Sequence, residues 1–204
     1  THPGLRVEFT EVSSRALDPL SGLHSGRFDV ALTMSALADS AVFWRLFLDP
    51  YVAVAAEGGP FPEGSASLAD LVAHPVLLSN GPCSWPLREA LLRLDPAFRP
   101  AVEVAEDSTM LALAARGLGV ALMPRLTVDS LPAGARLLRL EEPLERSLGV
   151  ALLPGALKVP AVRVFLSALR AMFPDSEVPE LDAGAARSAA PASEERDPVL
   201  GPAG

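Results

Sequence analysis

Residues 103–124, Glu-Val-Ala-Glu-Asp-Ser-Thr-Met-Leu-Ala-Leu-Ala-Ala-Arg-Gly-Leu-Gly-Val-Ala-Leu-Met-Pro, constrain the fold more than any other stretch of the chain. They read as strand, helix, tight turn and strand. Asp107, Ser108 and Thr109 are helix-starting residue types, because each side-chain oxygen can accept from a free N–H of the first turn. Leu111, Ala114 and Ala115 recur at helical spacing and give a small-residue face that can lie close to a sheet. Gly117 suits the position just past the helix, where the backbone turns left-handed. Residues 120–123 are an apolar run fit for a parallel strand buried on both faces, and Pro124 stops it. The helix start thus falls at the carboxyl end of a strand. That is where open α/β sheets bind ligands and where free N–H groups favour anions.

The flanking segments alternate in the same way. Residues 5–9 alternate like a half-buried strand, and Leu17, Leu20 and Leu23 mark a short helix over 16–25, with Pro19 in its first turn. Residues 30–33 form the next expected strand. An apolar run over 43–48 and another over 51–55 flank Asp49-Pro50, and glycines and prolines over 58–62 make a loop. Ser67 is placed to cap a helical turn before a strand over 74–78. The polar loop 79–84 leads into a helix over 86–94, with Leu87, Leu91 and Leu94 inward and Arg88, Glu89 and Arg93 outward. A short helix over 125–129, strands over 136–140 and 148–153, and a helix over 160–173 complete the pattern. The last turns Val162, Phe165, Leu166 and Leu169 inward.

The string Glu-Asp-Ser-Thr…Leu-Ala…Ala-Arg-Gly-Leu-Gly-Val-Ala-Leu-Met-Pro resembles the second-lobe signature of LysR-type transcriptional regulators, in their effector-binding domain. The short helix ending in Gly26-Arg-Phe-Asp29 before an apolar strand resembles the first-lobe pattern. The run across Asp49-Pro50 resembles the crossover strand between lobes. The resemblance covers residues 1 to about 174. It implies an α/β fold of two Rossmann-like lobes of the type 2 periplasmic-binding-protein kind. Lobe one would hold residues 1–50 and 156–174, and lobe two residues 51–155. The family's winged helix-turn-helix, linker helix, and first strand and helix of the effector domain have no counterpart here. Lobe one is therefore expected to be incomplete, with unpaired backbone between residues 5–9 and 30–33, and the chain is expected to be a truncated piece. Apolar periodicity ends at Pro174, so residues 175–204 read as a disordered acidic tail.

Charge and composition narrow the function. The net charge is −8, and residues 175–204 hold seven acids against two arginines. No Lys/Arg cluster resembles a phosphate-binding surface, so DNA contact is expected only through the absent helix-turn-helix. No apolar run reaches the length of a membrane span and no basic-then-apolar leader is present, so a cytoplasmic protein is expected. The single cysteine, Cys83, excludes an internal disulfide. His2, His24, His74 and Cys83 are too scattered for metal ligation. Ser79 and Ser84 lack a nucleophile elbow, and Gly117-Leu-Gly119 ends a helix instead of opening one. Neither a cofactor nor an enzyme activity is expected.

A binding cleft remains. The two-lobed fold implied by the resemblance places a ligand between lobes, against strand ends and helix starts. The candidates are Thr33 and Ser35 from lobe one, with Ser79, Asn80, Ser84, Asp107, Ser108 and Thr109 from lobe two. Arg45 and Arg88 are the candidate anion partners, needed because Glu106 and Asp107 repel a carboxylate. The resemblance implies a small polar or carboxylate effector and a dimer or tetramer in the full-length regulator. Two other readings stay open: a solute-binding protein of the same fold, and a fragment forming mixed dimers with a full-length regulator.

Overall fold

The computed structural model describes residues 5–11, 19–38, 40–61 and 63–181. Its organising strand is β2 (Val42–Ala56), 15 residues long. The first half of β2, through Pro50, lies antiparallel to β8 (Glu145–Leu152), which pairs on its other side with β1 (Ala31–Met34). The second half, from Tyr51, lies between β6 (Val120–Pro124) and β7 (Ala135–Leu140). From β6 the second sheet continues in parallel to β4 (Val76–Ser79) and β5 (Val102–Val104). Beyond β7 it ends in the short β3 (Ser65–Ala66). One strand therefore belongs to two sheets, as a crossover strand must.

Each sheet builds its own core. In the second sheet the alternation of β2 sends Tyr51, Ala53 and Ala55 to one face and Val52 and Val54 to the other. The first face packs on α2 (Leu68–Val72) and α3 (Trp85–Leu94) through Leu71, Leu87 and Leu91. The second packs on α4 (Asp107–Ala115) through Met110, Leu111 and Ala114. The first sheet packs Val150 and Leu152 on α5 (Pro160–Met172) through Val162, Leu166 and Leu169. Its other face meets Leu23 of α1 (Pro19–His24).

The organising unit forms as its sequence predicts. The strand β6 is buried throughout. Gly117 has φ 73° just past α4, and Ser67 caps α2 by accepting from the Asp70 N–H at 3.1 Å. Several expectations need correction. Residues 5–9 form no strand, because no described strand lies beside them to complete a ladder. Phe9 is 79% exposed there, and a cavity of about 670 Å³ separates the segment from β1 and α5. Leu94 is exposed, since it ends α3 beyond the cluster holding Leu87 and Leu91. The helix expected over 125–129 is a single turn, Arg125–Thr127. The strand β8 falls inside 51–155 yet pairs wholly within the first sheet. Residues 175–181 dock instead of trailing as a solvated tail: Val178 is fully buried in the first-sheet core. Residues 16–18 of the expected first helix, and residues 182–204, lie outside the described residues.

No described helix is long and apolar enough to cross a membrane. Among the described residues no three His, Cys, Asp or Glu side chains are grouped to hold a metal ion.

Candidate functional site

Because β4, β5 and β6 run parallel, their carboxyl ends, Ser79, Val104 and Pro124, share one edge of the second sheet. Tyr51 sits opposite Pro124 on that edge. One residue back, Pro50 already pairs with Glu145 in the first sheet. The carboxyl edge of the second sheet is therefore also the junction between sheets. Thr33 and Ser35, at the end of β1, come from the first sheet, with Thr33 opposite Gly149 of β8.

A buried ion pair lies at the junction. Arg146 Nε and Nη2 both donate to Asp49 Oδ2 at 2.8 Å. The other oxygen, Asp49 Oδ1, accepts from the Leu126 N–H at 3.0 Å. Asp49 is 1% exposed and Arg146 8%. Next to them the Tyr51 hydroxyl donates to the Cys83 carbonyl at 2.7 Å. Burial pushes the Tyr51 phenol far above its ordinary range. The Arg146 guanidinium opposes that shift, while Cys83 and Asp49 add to it.

The helix α4 opens onto the same edge. Its N-cap position is Glu106, whose side chain makes no capping bond. Asp107, Ser108 and Thr109 are helical residues of the first turn, where the sequence suggested caps. The Thr109 N–H donates to the Glu106 carbonyl at 3.1 Å, which leaves the Asp107 and Ser108 N–H groups as the donors of the first turn. Burial raises the Asp107 carboxyl above its ordinary range, Arg146 opposes the rise and Glu106 adds to it. Asp107 and Arg146 therefore feel each other across the junction. Ser108 and Thr109 are exposed.

The loop 79–84 is closed on itself. Ser79 Oγ accepts from the Gly81 N–H at 3.1 Å, and the Asn80 N–H donates to the Val104 carbonyl at 3.0 Å. Ser84 Oγ donates to the Gly81 carbonyl at 2.9 Å and accepts from Arg88 Nε at 3.2 Å. Arg88 also donates from Nη2 to the Ser79 carbonyl and from Nη1 to Glu103 Oε1, at 3.2 and 3.0 Å. Its guanidinium is engaged in holding the loop to α3 and β5. Arg45 is paired with Glu177 at 3.1 Å on the outer edge of β2. Neither candidate anion partner is a free cation at the junction.

The structure thus gathers Ser79, Asn80, Ser84 and Asp107–Thr109 along one edge, with β1 bringing Thr33 and Ser35 from the first sheet. Sequence patterning missed Asp49, Tyr51 and Arg146. The available signal was Asp49-Pro50, a charge and a helix breaker in the middle of a mostly apolar run.

The family model for the LysR substrate binding domain matches residues 1–174. The probable HTH-type transcriptional regulator LrrA of Synechococcus elongatus is 31% identical over 175 residues, which are 85% of this chain and 58% of LrrA. The chain thus spans little more than half the length of that relative. Among solved structures, a mutant of Corynebacterium glutamicum OxyR is similar with a TM-score of 0.69 at 21% identity, covering 85% of this chain and 57% of that one. The regulatory domain of Synechocystis CcmR in complex with 2-PG has a TM-score of 0.62 at 18% identity, covering 76% of this chain and 77% of that one. With the family model matching most of its length, the chain belongs to the LysR substrate-binding domain family.

Proposed function

We propose that this chain is the effector-sensing part of a LysR-type transcriptional regulator and that its effector binds at the junction of the two sheets. The single observation behind this reading is the shared edge, where α4 opens without a side-chain cap and Asp107 lies within electrostatic reach of the buried Arg146. The relative CcmR, whose regulatory domain is described in complex with 2-PG, supports a small polar molecule as the ligand class. Donors on α4 and the acceptor Asp107 suit a ligand that carries both an anionic group and a hydrogen-bond donor. Such a ligand would favour one setting of the sheets over another, and a DNA-binding module elsewhere in the protein would report the change. The protein would act in the cytoplasm, as an oligomer, without catalysing a reaction. The residues proposed for contact are Ser79, Asn80, Asp107, Ser108 and Thr109, with Thr33 and Ser35 from the first sheet; Ser84, 2% exposed and bonded to Gly81 and Arg88, holds the loop instead.

Chemical-shift titration of the 204-residue chain with small hydroxy, amino and phosphorylated acids tests this reading. The expected result is a saturable shift centred on residues 79–84 and 107–109, with smaller changes at Asp49 and Arg146. Shifts confined to other surfaces, or none from the whole panel, would overturn it.

A further inference from the structure

Among the described residues the first half of β2 is paired with a strand, β8, on one side only, and Glu177 meets its other edge at Arg45. The Glu177 N–H donates to the Arg45 carbonyl at 2.7 Å. In return the Arg45 N–H donates to Glu177 Oε2 at 3.2 Å, and Arg45 Nη2 meets Oε1 at 3.1 Å. One residue thus satisfies both backbone groups and the side chain of another. The segment is anchored at its next position: Val178 is fully buried in the cluster that holds Leu46, Leu152, Leu166 and Leu169. The carbonyl of Val178 accepts from Arg170 of α5. Just before the segment, the Phe173 ring stacks on Phe47 with centroids 5.6 Å apart.

Arg45 is also where β2 loses register with β8, because the pairing shifts between Arg45 and Phe47. A bulge bends and twists its strand and leaves the ladder locally interrupted. On the β8 side the fit is tight: a Cβ on Gly149 would lie 2.2 Å from the Trp44 carbonyl oxygen and 2.9 Å from Arg45 Cα. The bulge is therefore gripped from both edges. Four residues later the same strand reaches Asp49 and passes into the second sheet.

We infer that residues 175–181 are a latch on the bulge of β2, closed by Glu177 on Arg45, which sets how firmly the crossing strand holds the junction of the two sheets. An exposed ion pair alone holds little. Here it acts with two backbone bonds to the same residue and with an adjacent buried valine, so the contacts open together. Freedom gained at the bulge passes along β2 to Asp49, since both belong to one continuous strand. Its consequence for effector sensing rests on the function proposed above, whereas the grip on the bulge does not.

Backbone amide exchange of the 204-residue chain, without ligand, tests the latch in Glu177→Ala and Glu177→Gln. In Glu177→Ala the Arg45 amide should exchange about tenfold faster, as expected for local opening. The Leu126 amide, bonded to Asp49, and the Tyr51 amide, bonded to the Leu144 carbonyl, should also speed up. Amides of Ala53 and Ala55 within the second sheet should keep their rates. Glu177→Gln keeps an acceptor for the Arg45 N–H and should fall between; it also carries the comparison if the alanine variant melts. A faster Arg45 amide with Leu126 and Tyr51 unchanged would reduce the contact to a local tie and overturn the inference. An unchanged Arg45 amide would overturn it as well. Because no ligand is present, a chain that binds nothing at the junction leaves this result intact.

Discussion

Arg146 grips one oxygen of Asp49 with two nitrogens, both at 2.8 Å, at the point where β2 leaves one sheet for the other. The two residues are register partners on β2 and β8. With the Leu126 N–H on the remaining carboxylate oxygen, Asp49 ties together β2, β8 and the turn after β6. Replacing a buried pair by apolar groups can be nearly neutral, but removing one member strands the other charge. Asp49→Ala should therefore cost about 3–5 kcal/mol. The double replacement Asp49→Leu with Arg146→Met should regain a large part of that loss. Urea unfolding of Asp49→Leu, of Arg146→Met and of the double replacement closes the cycle. Additive losses would show that the pair is not coupled in the folded chain.

Tyr51 supplies a direct optical check, since it is the only tyrosine in the sequence. Burial and its bond to the Cys83 carbonyl favour the protonated phenol. In the folded chain no phenolate absorbance should appear around the ordinary value of 10.0, whereas in denaturant it should. A phenol that holds its proton longer when folded makes stability fall as pH rises above that value. Tyr51→Phe should remove this alkaline loss. It should also cost about 1 kcal/mol at neutral pH for the missing hydrogen bond. A folded chain whose tyrosine ionises near 10.0 would contradict the burial.

The unit from β5 to β6 was legible because its information is local. Helical spacing, a glycine after the last turn and an apolar run are all written within about one βαβ half-unit. The crossover strand was legible for the same reason, and the candidate polar residues of loop 79–84 followed from its turn composition. Asp49–Arg146 was not, because the partners lie 97 residues apart and neither has a local role that marks it. Residues 175–181 were misread for a related reason. Their composition is that of a solvated tail, while Val178 and Glu177 dock on Leu46 and Arg45 of a distant strand. Arg88 shows the limit on the side of chemistry. A cation near a polar loop looks available to a ligand until Glu103, Ser79 and Ser84 are seen to hold it.

Asp107 predicts a pH dependence of the opposite kind to that of a stabilising carboxylate. Its folded value is raised above the ordinary 3.8, chiefly by burial. Between the unfolded and the raised folded value the folded chain binds more protons, so stability falls as pH rises through that window and then levels off. Asp107→Asn should therefore stabilise the chain at neutral pH and change little at a pH below 3.8. Thermal melts of the two proteins at acid and neutral pH give the comparison. If Asp107→Asn is less stable at neutral pH, the carboxylate is held by a favourable partner and the burial argument fails.

Gly149 ties the bulge to the packing of the first sheet. Its φ is not in the left-handed region, so its requirement is one of space alone. A methyl group there would meet the Trp44 carbonyl oxygen at 2.2 Å and Arg45 Cα at 2.9 Å, and both are backbone atoms that cannot rotate aside. The Phe43 ring, at 2.6 Å, would have to move as well. Gly149→Ala should then push β2 away from β8 and cost about 1–3 kcal/mol, the usual range for overpacking. Gly155 provides the control, because nothing lies within 4 Å of a Cβ built there. Gly155→Ala should stay within about 0.5 kcal/mol of the parent chain, as substitutions away from such contacts do. Equal unfolding midpoints for the two variants would mean that β2 and β8 do not approach so closely at the bulge. The latch of Glu177 on Arg45 would then be holding a looser strand than the structure describes.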